Sequence, residues 1–186
     1  MSNTTILADP QSVLSFWFEE LTQEDWFKKS DALDQTITER FAATHLALAK
    51  NIPDEWRSSA DAVLALILVF DQFPRNIYRD TPLAFATDCL ALAEARRVVA
   101  EGLDRQVDRE RRLFFYLPFE HSEDQRDQDH CVNLIGQLEN DDLMGYAHAH
   151  RDVIVQFGRF PHRNRILARD NTPEEETYLA KPGSGF

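Results

Sequence analysis

The sequence predicts an all-α protein of about eight helices in antiparallel pairs, and three observations predict it. Glycine is scarce, 6 in 186 residues, with Gly183 and Gly185 spent at the very end, so the hairpin turns that join strands have almost no material. Helix-opening signatures recur along the chain, each a capping side chain followed by proline or by a matching acid. A motif also repeats: FDQFPRNIYRDTP at 70–82 returns, with insertions, as FGRFPHRNRILARDNTP at 157–173. Each copy reads as an apolar helix stopped by proline, a turn, and a helix opened by Thr-Pro. One helical domain over 1–186 is expected, built from related halves at roughly 25–95 and 115–180 that stack as helical repeats do.

The elements follow in order. Asp9-Pro10 sets a cap before a proline at the first helical position and opens a helix through VLSFWFEE. Asp31 to Lys50 carries Leu33, Ile37 and Phe41 at four-residue spacing. Ser58 to Phe73 is apolar on every side in its middle, which places it at the centre of the fold. Thr81-Pro82 opens a helix in which Phe85, Cys89, Leu92 and Val99 share a face and Gly102 supplies the stop. Asp108 to Leu117 ends at Pro118, and Asp141 to Phe160 ends at Pro161, because proline lacks the amide that continues the ladder. Ser122 to Gln125 and Thr172 to Glu175 are capping boxes that open two more helices. The tail KPGSGF, 181–186, reads as frayed. The tetratricopeptide pattern itself, with its Trp-Leu-Gly signature, is absent.

Composition narrows the function classes. Hydrophobic residues make up 43% and charged residues 28%, an ordinary globular balance, and at this length folding hides roughly 70% of the extended chain's surface. A net charge of -12 repels polyanions, so neither nucleic acid nor an anionic membrane is an expected partner. Apart from Lys28, Lys29, Lys50 and Lys181, every cation is an arginine, whose planar fork suits fixed contacts with carboxylate or phosphate. Cys89 and Cys131 lack Cys-x-x-Cys spacing and read as small buried hydrophobes. With neither a signal-peptide pattern nor an apolar run near the length of a membrane span, a cytoplasmic location is expected. The aromatic cluster Phe16, Trp17, Phe18, Trp26 and Phe27 reads as core, and the acidic stretch 120–129 as a solvated helix face.

Candidate chemistry gathers at the two turns. Asp71 falls in the last turn of the apolar helix, where an anion is disfavoured, so a cation must answer it: Arg75 nearby, or Arg159 or Arg163 from the second turn. Arg75-Asn76 and Arg163-Asn164 either cap orphan carbonyls or, if both turns face one concavity, line a pocket for a small anion or a peptide end. His121, His150 and His162 are either satisfied structural residues or proton-handling groups, with Glu123 close by in sequence. Together His121, Glu123, His150 and His162 match no ligand signature such as His-Glu-x-x-His, so no metal is expected. No Gly-x-Ser-x-Gly elbow, Walker loop or dinucleotide fingerprint occurs, and no cofactor is expected.

The segments VLSFWF, WF…LDQTITERF, FDQFPRNIYR…AFATD, FFYLPFEHSEDQ and HRDVIVQFGRFPHRN…TPEE resemble, in order and over nearly the whole chain, the bacterial domain of unknown function 924 family. The resemblance implies an all-helical fold similar to tetratricopeptide-like arrays and no securely assigned activity. It carries over Asp34, Arg40, Asp71, Arg75, Asn76, Asp88, His121, Ser122, Glu123, His150, Arg159, His162, Arg163 and Asn164. It also implies a glycine before Arg169, where this chain has Ala168.

Three functions fit these residues. The first is a binding module for an anionic small molecule or peptide end, lined by Asp71, Arg75, Asn76, His121, His150, Arg159, His162, Arg163 and Asn164. The second is an adaptor in which these groups only brace turns. The third is a hydrolase with His121 or His162 as base, Glu123 orienting it, and arginines stabilising developing negative charge.

Overall fold

The computed structural model describes residues 7–185. Among these residues the fold is all-α and holds no strand. Residues 1–6 and Phe186, the end of the expected frayed tail, lie outside the described residues. The chain divides into two compact units: one takes in the chain up to Arg79 together with Leu83–Pro118, the other Asp80–Pro82 and Phe119 onward.

In the first unit, α1 (Pro10–Ser15) starts as its sequence dictates, with the Asp9 carboxylate accepting from Ser12 N at 2.7 Å and Pro10 in the first turn. It runs into a π turn, Phe16–Glu20, and the Trp17 carbonyl accepts from the indole of Trp26 on α2 (Gln23–Phe27). Phe16, Trp17, Phe41, Phe73 and Phe114 interlock with ring centroids 4.6 to 6.1 Å apart. Phe27, expected in this core, is instead 64% exposed. α3 (Asp31–Lys50) buries Ile37 and Phe41 as its spacing requires, and packs on α5.

The apolar run is the centre of this unit: every residue from Ala62 to Phe70 is buried. α4 (Ala60–Ile67) passes through a π turn, Leu68–Gln72, into α5 (Phe73–Ile77). The helix therefore does not stop at Pro74, against the sequence expectation. Within an unbroken α-helix Pro74 would crowd the Phe70 carbonyl and deny it a donor. The wider turn makes room, and the Thr87 hydroxyl donates to Phe70 O at 2.7 Å. That bond assigns a whole chain of protons. Thr87 has one hydroxyl proton and gives it to Phe70, so it accepts from His45 Nε2 at 3.1 Å; His45 Nδ1 then accepts from Tyr78 OH at 3.2 Å. Burial lowers the His45 pKa and keeps the ring neutral, as this arrangement needs.

Thr81-Pro82 opens only a short 3-10 turn, Pro82–Phe85, and α6 (Asp88–Glu101) starts beyond it. The buried face of α6 is Ala91, Ala95 and Val98, not the larger Phe85, Cys89, Leu92 and Val99. α6 packs on α4, and small side chains permit the close approach. Cys89 is accordingly exposed, while Cys131 is buried and burial pushes its thiol pKa up. Gly102 ends α6 with φ 69°, in the left-handed region that glycine tolerates. α7 (Arg109–Glu120) runs through Pro118 and does not end at Leu117.

In the second unit, α8 (Gln125–Ile135) is capped by Asp124, whose carboxylate accepts from Arg126 N at 2.9 Å, not by Ser122. α8 packs on α9 (Asp141–Phe157) across a short connection. α9 ends at Gly158, φ 69°, three residues before Pro161, so this corner and the one at Pro74 differ in local geometry. α10 (Pro173–Leu179) opens with the expected box, Thr172 Oγ1 accepting from Glu175 N and Glu175 Oε2 from Thr172 N. Val153, Ile154 and Phe160 form the core here, with Phe157 and Tyr178 packed against them. Among the described residues no helix is long and apolar enough to cross a membrane.

Candidate functional site

The first turn is a set of shared carboxylates. Asp71, fully buried in the π turn, accepts from Gln72 Nε2 at 2.5 Å and lies 3.4 Å from Arg75 Nη2. The same Arg75 nitrogen reaches Asp88 at 3.1 Å. Arg75 is thus the near cation that Asp71 demanded. Asn76 Nδ2 donates to Asp34 at 2.8 Å, and Arg79 grips Asp34 with two bonds of 2.5 and 2.7 Å. Burial works to raise the Asp34 pKa, but Arg79 and Asn76 outweigh it and the net shift is downward. These groups edge an open hollow of about 350 Å³ that also includes Asp31, Gln35, Thr38 and Ile77. Arg40, a further residue of the resemblance, pairs with Glu20.

The second turn is braced as densely. Arg159 holds Glu175 with two bonds, 2.6 and 2.8 Å, and donates to Asp170 O. Asn164, 1% exposed, donates to Asn171 and Glu175 and accepts from Arg169 Nε. Glu123 accepts two bonds from Arg169 and one from Phe160 N, while Arg169 also donates to Phe160 O. Burial would raise the Glu123 carboxyl, but Arg169 and the Phe160 amide hold it below the ordinary glutamate value. Its partner is therefore Arg169, a residue missed in the sequence.

Two of the candidate histidines, His150 and His162, face one ring. Phe160 is fully buried, and its centroid lies 5.7 Å from His150, 5.5 Å from His162, and 4.5 Å beneath the guanidinium carbon of Arg163. Arg163, 6% exposed, donates to the His121 carbonyl at 3.1 Å. His150 Nδ1 lies 2.9 Å from Tyr146 O and 3.5 Å from Glu120 Oε1, so Nδ1 carries the proton. Burial drives the His150 pKa down to about 3; the Tyr146 bond opposes this, and His121, His162 and Arg163 add to it. His121 and His162 are partly exposed and give solvent access to the cluster.

Glu120, Asp127 and Gln128 are buried, so the acidic stretch is not simply a solvated face. Ser122 donates to Asp127 at 2.6 Å. Among the described residues no group of three or more His, Cys, Asp or Glu side chains is placed to hold a metal ion. One backbone strain sits beside the cluster: Ala168 has φ 52°, where glycine is favoured. Ala168 is exposed and loses no packing on truncation. Ala168→Gly is expected to stabilise the protein by about 0.5–1 kcal/mol, read as a higher urea midpoint at unchanged slope.

The family model described as bacterial protein of unknown function (DUF924) matches residues 13–183. A solved structure of a protein of unknown function from Agrobacterium tumefaciens is similar over 92% of this chain and 96% of its own, at 40% identity and a TM-score of 0.87. A search of curated proteins gave no match.

Proposed function

This chain belongs to the bacterial family of unknown function DUF924, and we propose that it is a binding module taking a small anionic group at the cluster around Phe160. One observation carries the reading: the guanidinium of Arg163, 6% exposed, stands over the Phe160 ring that His150 and His162 also face, a fixed cation inside a chain of net charge -12. Of the nearby carboxylates, Glu123 is paired with Arg169, and Glu120 lies within 3.5 Å of His150 Nδ1. The guanidinium carbon of Arg163 stands 4.5 Å over the Phe160 ring centroid, and this contact limits the entropy lost when the fork grips an oxyanion.

A hydrolase is the weaker reading. The base of such an enzyme would be His121 or His162, and His150, held down at about 3, is too poor an acceptor to replace either. Glu123, the orienting residue such an enzyme would need beside His121, is spent on Arg169.

Inorganic phosphate is the probe. Calorimetric titration is expected to show saturable binding, with a matching rise in melting temperature. Arg163→Met keeps the contact with Phe160 and removes the charge; it is expected to weaken phosphate at least about tenfold, the worth of one charge-assisted bond. If chloride at equal ionic strength gives the same thermal shift, or the variant binds as the parent does, the site is not there.

A further inference from the structure

α7 ends two residues beyond Pro118, and its last carbonyls have no partner within the helix. One side chain from the next helix reaches the last two of them, and Phe119 O also accepts from Ser122 N at 3.2 Å. Gln128 Nε2 donates to Glu120 O at 2.6 Å and Ser122 O at 2.7 Å, with Phe119 O at 3.3 Å sharing one of the two hydrogens. Gln128 is fully buried. Its neighbour Asp127 ties the same turn from the other side chain, through the Ser122 hydroxyl.

The segment fixed in this way holds two groups of the proposed site. Glu120, whose carbonyl Gln128 takes, sets its carboxylate 3.5 Å from His150 Nδ1. His121 lies between the two strongest of these bonds, and its own carbonyl anchors Arg163. We infer that Gln128 is a positioning residue: its amide locks the turn at 120–122 so that Glu120 orients His150 and His121 aims Arg163. The inference rests on the anion-binding reading for its functional meaning, but its geometry stands without it. A glutamine is suited to the task because it brings two donors and no charge. A lysine or arginine would bring positive charge into a fully buried position, and a glutamate would set an acceptor against carbonyl oxygens.

The test is Gln128→Met, which keeps length and volume and removes the amide. Its control is Ile135→Val, which takes a methylene from the buried face of the same helix, α8, without touching the turn. Both variants are compared with the parent at a temperature where circular dichroism shows all three folded. Two readouts are taken: the side-chain nitrogen signals of His121 and His150, and phosphate affinity. Gln128→Met is expected to move both histidine signals and to weaken phosphate about tenfold, while Ile135→Val leaves both near the parent. Equal effects from the two variants, or unmoved signals in Gln128→Met, would overturn the positioning role. If the parent does not bind phosphate, the anion-site reading fails and the histidine signals alone decide for or against Gln128. Should Gln128→Met not fold, Gln128→Asn replaces it; the amide remains but falls short of the carbonyls, and the same signals must move.

Discussion

Replacing Glu175 with alanine is expected to cost about 3 kcal/mol, because a single buried carboxylate serves two structures at once. At 2% exposure it completes the capping box of α10 and receives both prongs of Arg159. Alanine removes the acceptor for Thr172 N and both carboxylate contacts of Arg159, and leaves Asn164 with Asn171 alone as acceptor. For a chain of this size the loss corresponds to a melting-temperature drop of roughly 6–12 °C. The pH dependence has a definite sign. Arg159, with the Thr172 amide and Asn164, holds the Glu175 carboxyl at about 2, against a usual 4.5. A depressed carboxylate contributes fully above its unfolded value and is lost as pH falls through its folded one. The stability gap between the parent and Glu175→Gln should therefore shrink steadily from pH 5 towards pH 2. A constant gap in urea titrations over that range would show that the carboxylate is not held in its charged form.

Thr87→Val is expected to cost about 2–4 kcal/mol although it changes almost no volume. The hydroxyl donates to the carbonyl that Pro74 leaves without an amide, and it accepts from His45. Valine strands both partners in a buried place. Thr87→Ser retains the hydroxyl and should recover most of the loss, which separates the hydrogen bonds from packing. If valine and serine destabilise equally in urea melts, the proton order assigned to Tyr78, His45, Thr87 and Phe70 is wrong.

Local signals were legible and distant ones were not. Asp9-Pro10, Gly102 and the box at Thr172 are short-range devices, and each does in space what its residues dictate. Pro74 and Pro118 misled: both lie within helical chain, and at Pro74 the carbonyl it leaves without an amide is satisfied from elsewhere. For Pro74 the remedy is a hydroxyl 17 residues from Phe70, invisible to any local pattern. The inner face of α6 was misread because hydropathy favours Phe85 and Leu92, whereas close helix approach selects Ala91 and Ala95.

The site divides the same way. His150, His162 and Arg163 stand out in the sequence as candidates, and they share the ring of Phe160. Glu120 and Gln128 were hidden because an acidic segment with few apolar residues looks solvated, yet both are buried. The partnership of Glu123 with Arg169 spans 46 residues and leaves no spacing to read. Arg159 and Asn164 were visible, but their polar atoms go to neighbours of the turn.

The near-exclusive use of guanidinium has a further consequence. The pairs Arg40 with Glu20 and Arg159 with Glu175 each join a carboxylate, its pKa lowered by the pairing, to a guanidinium whose pKa the pairing raises. An ammonium network would begin to dissolve near about pH 10. Protonation can open these clasps from the acidic side, but hydroxide has no proton to take from them, so they persist into alkali and loosen in acid.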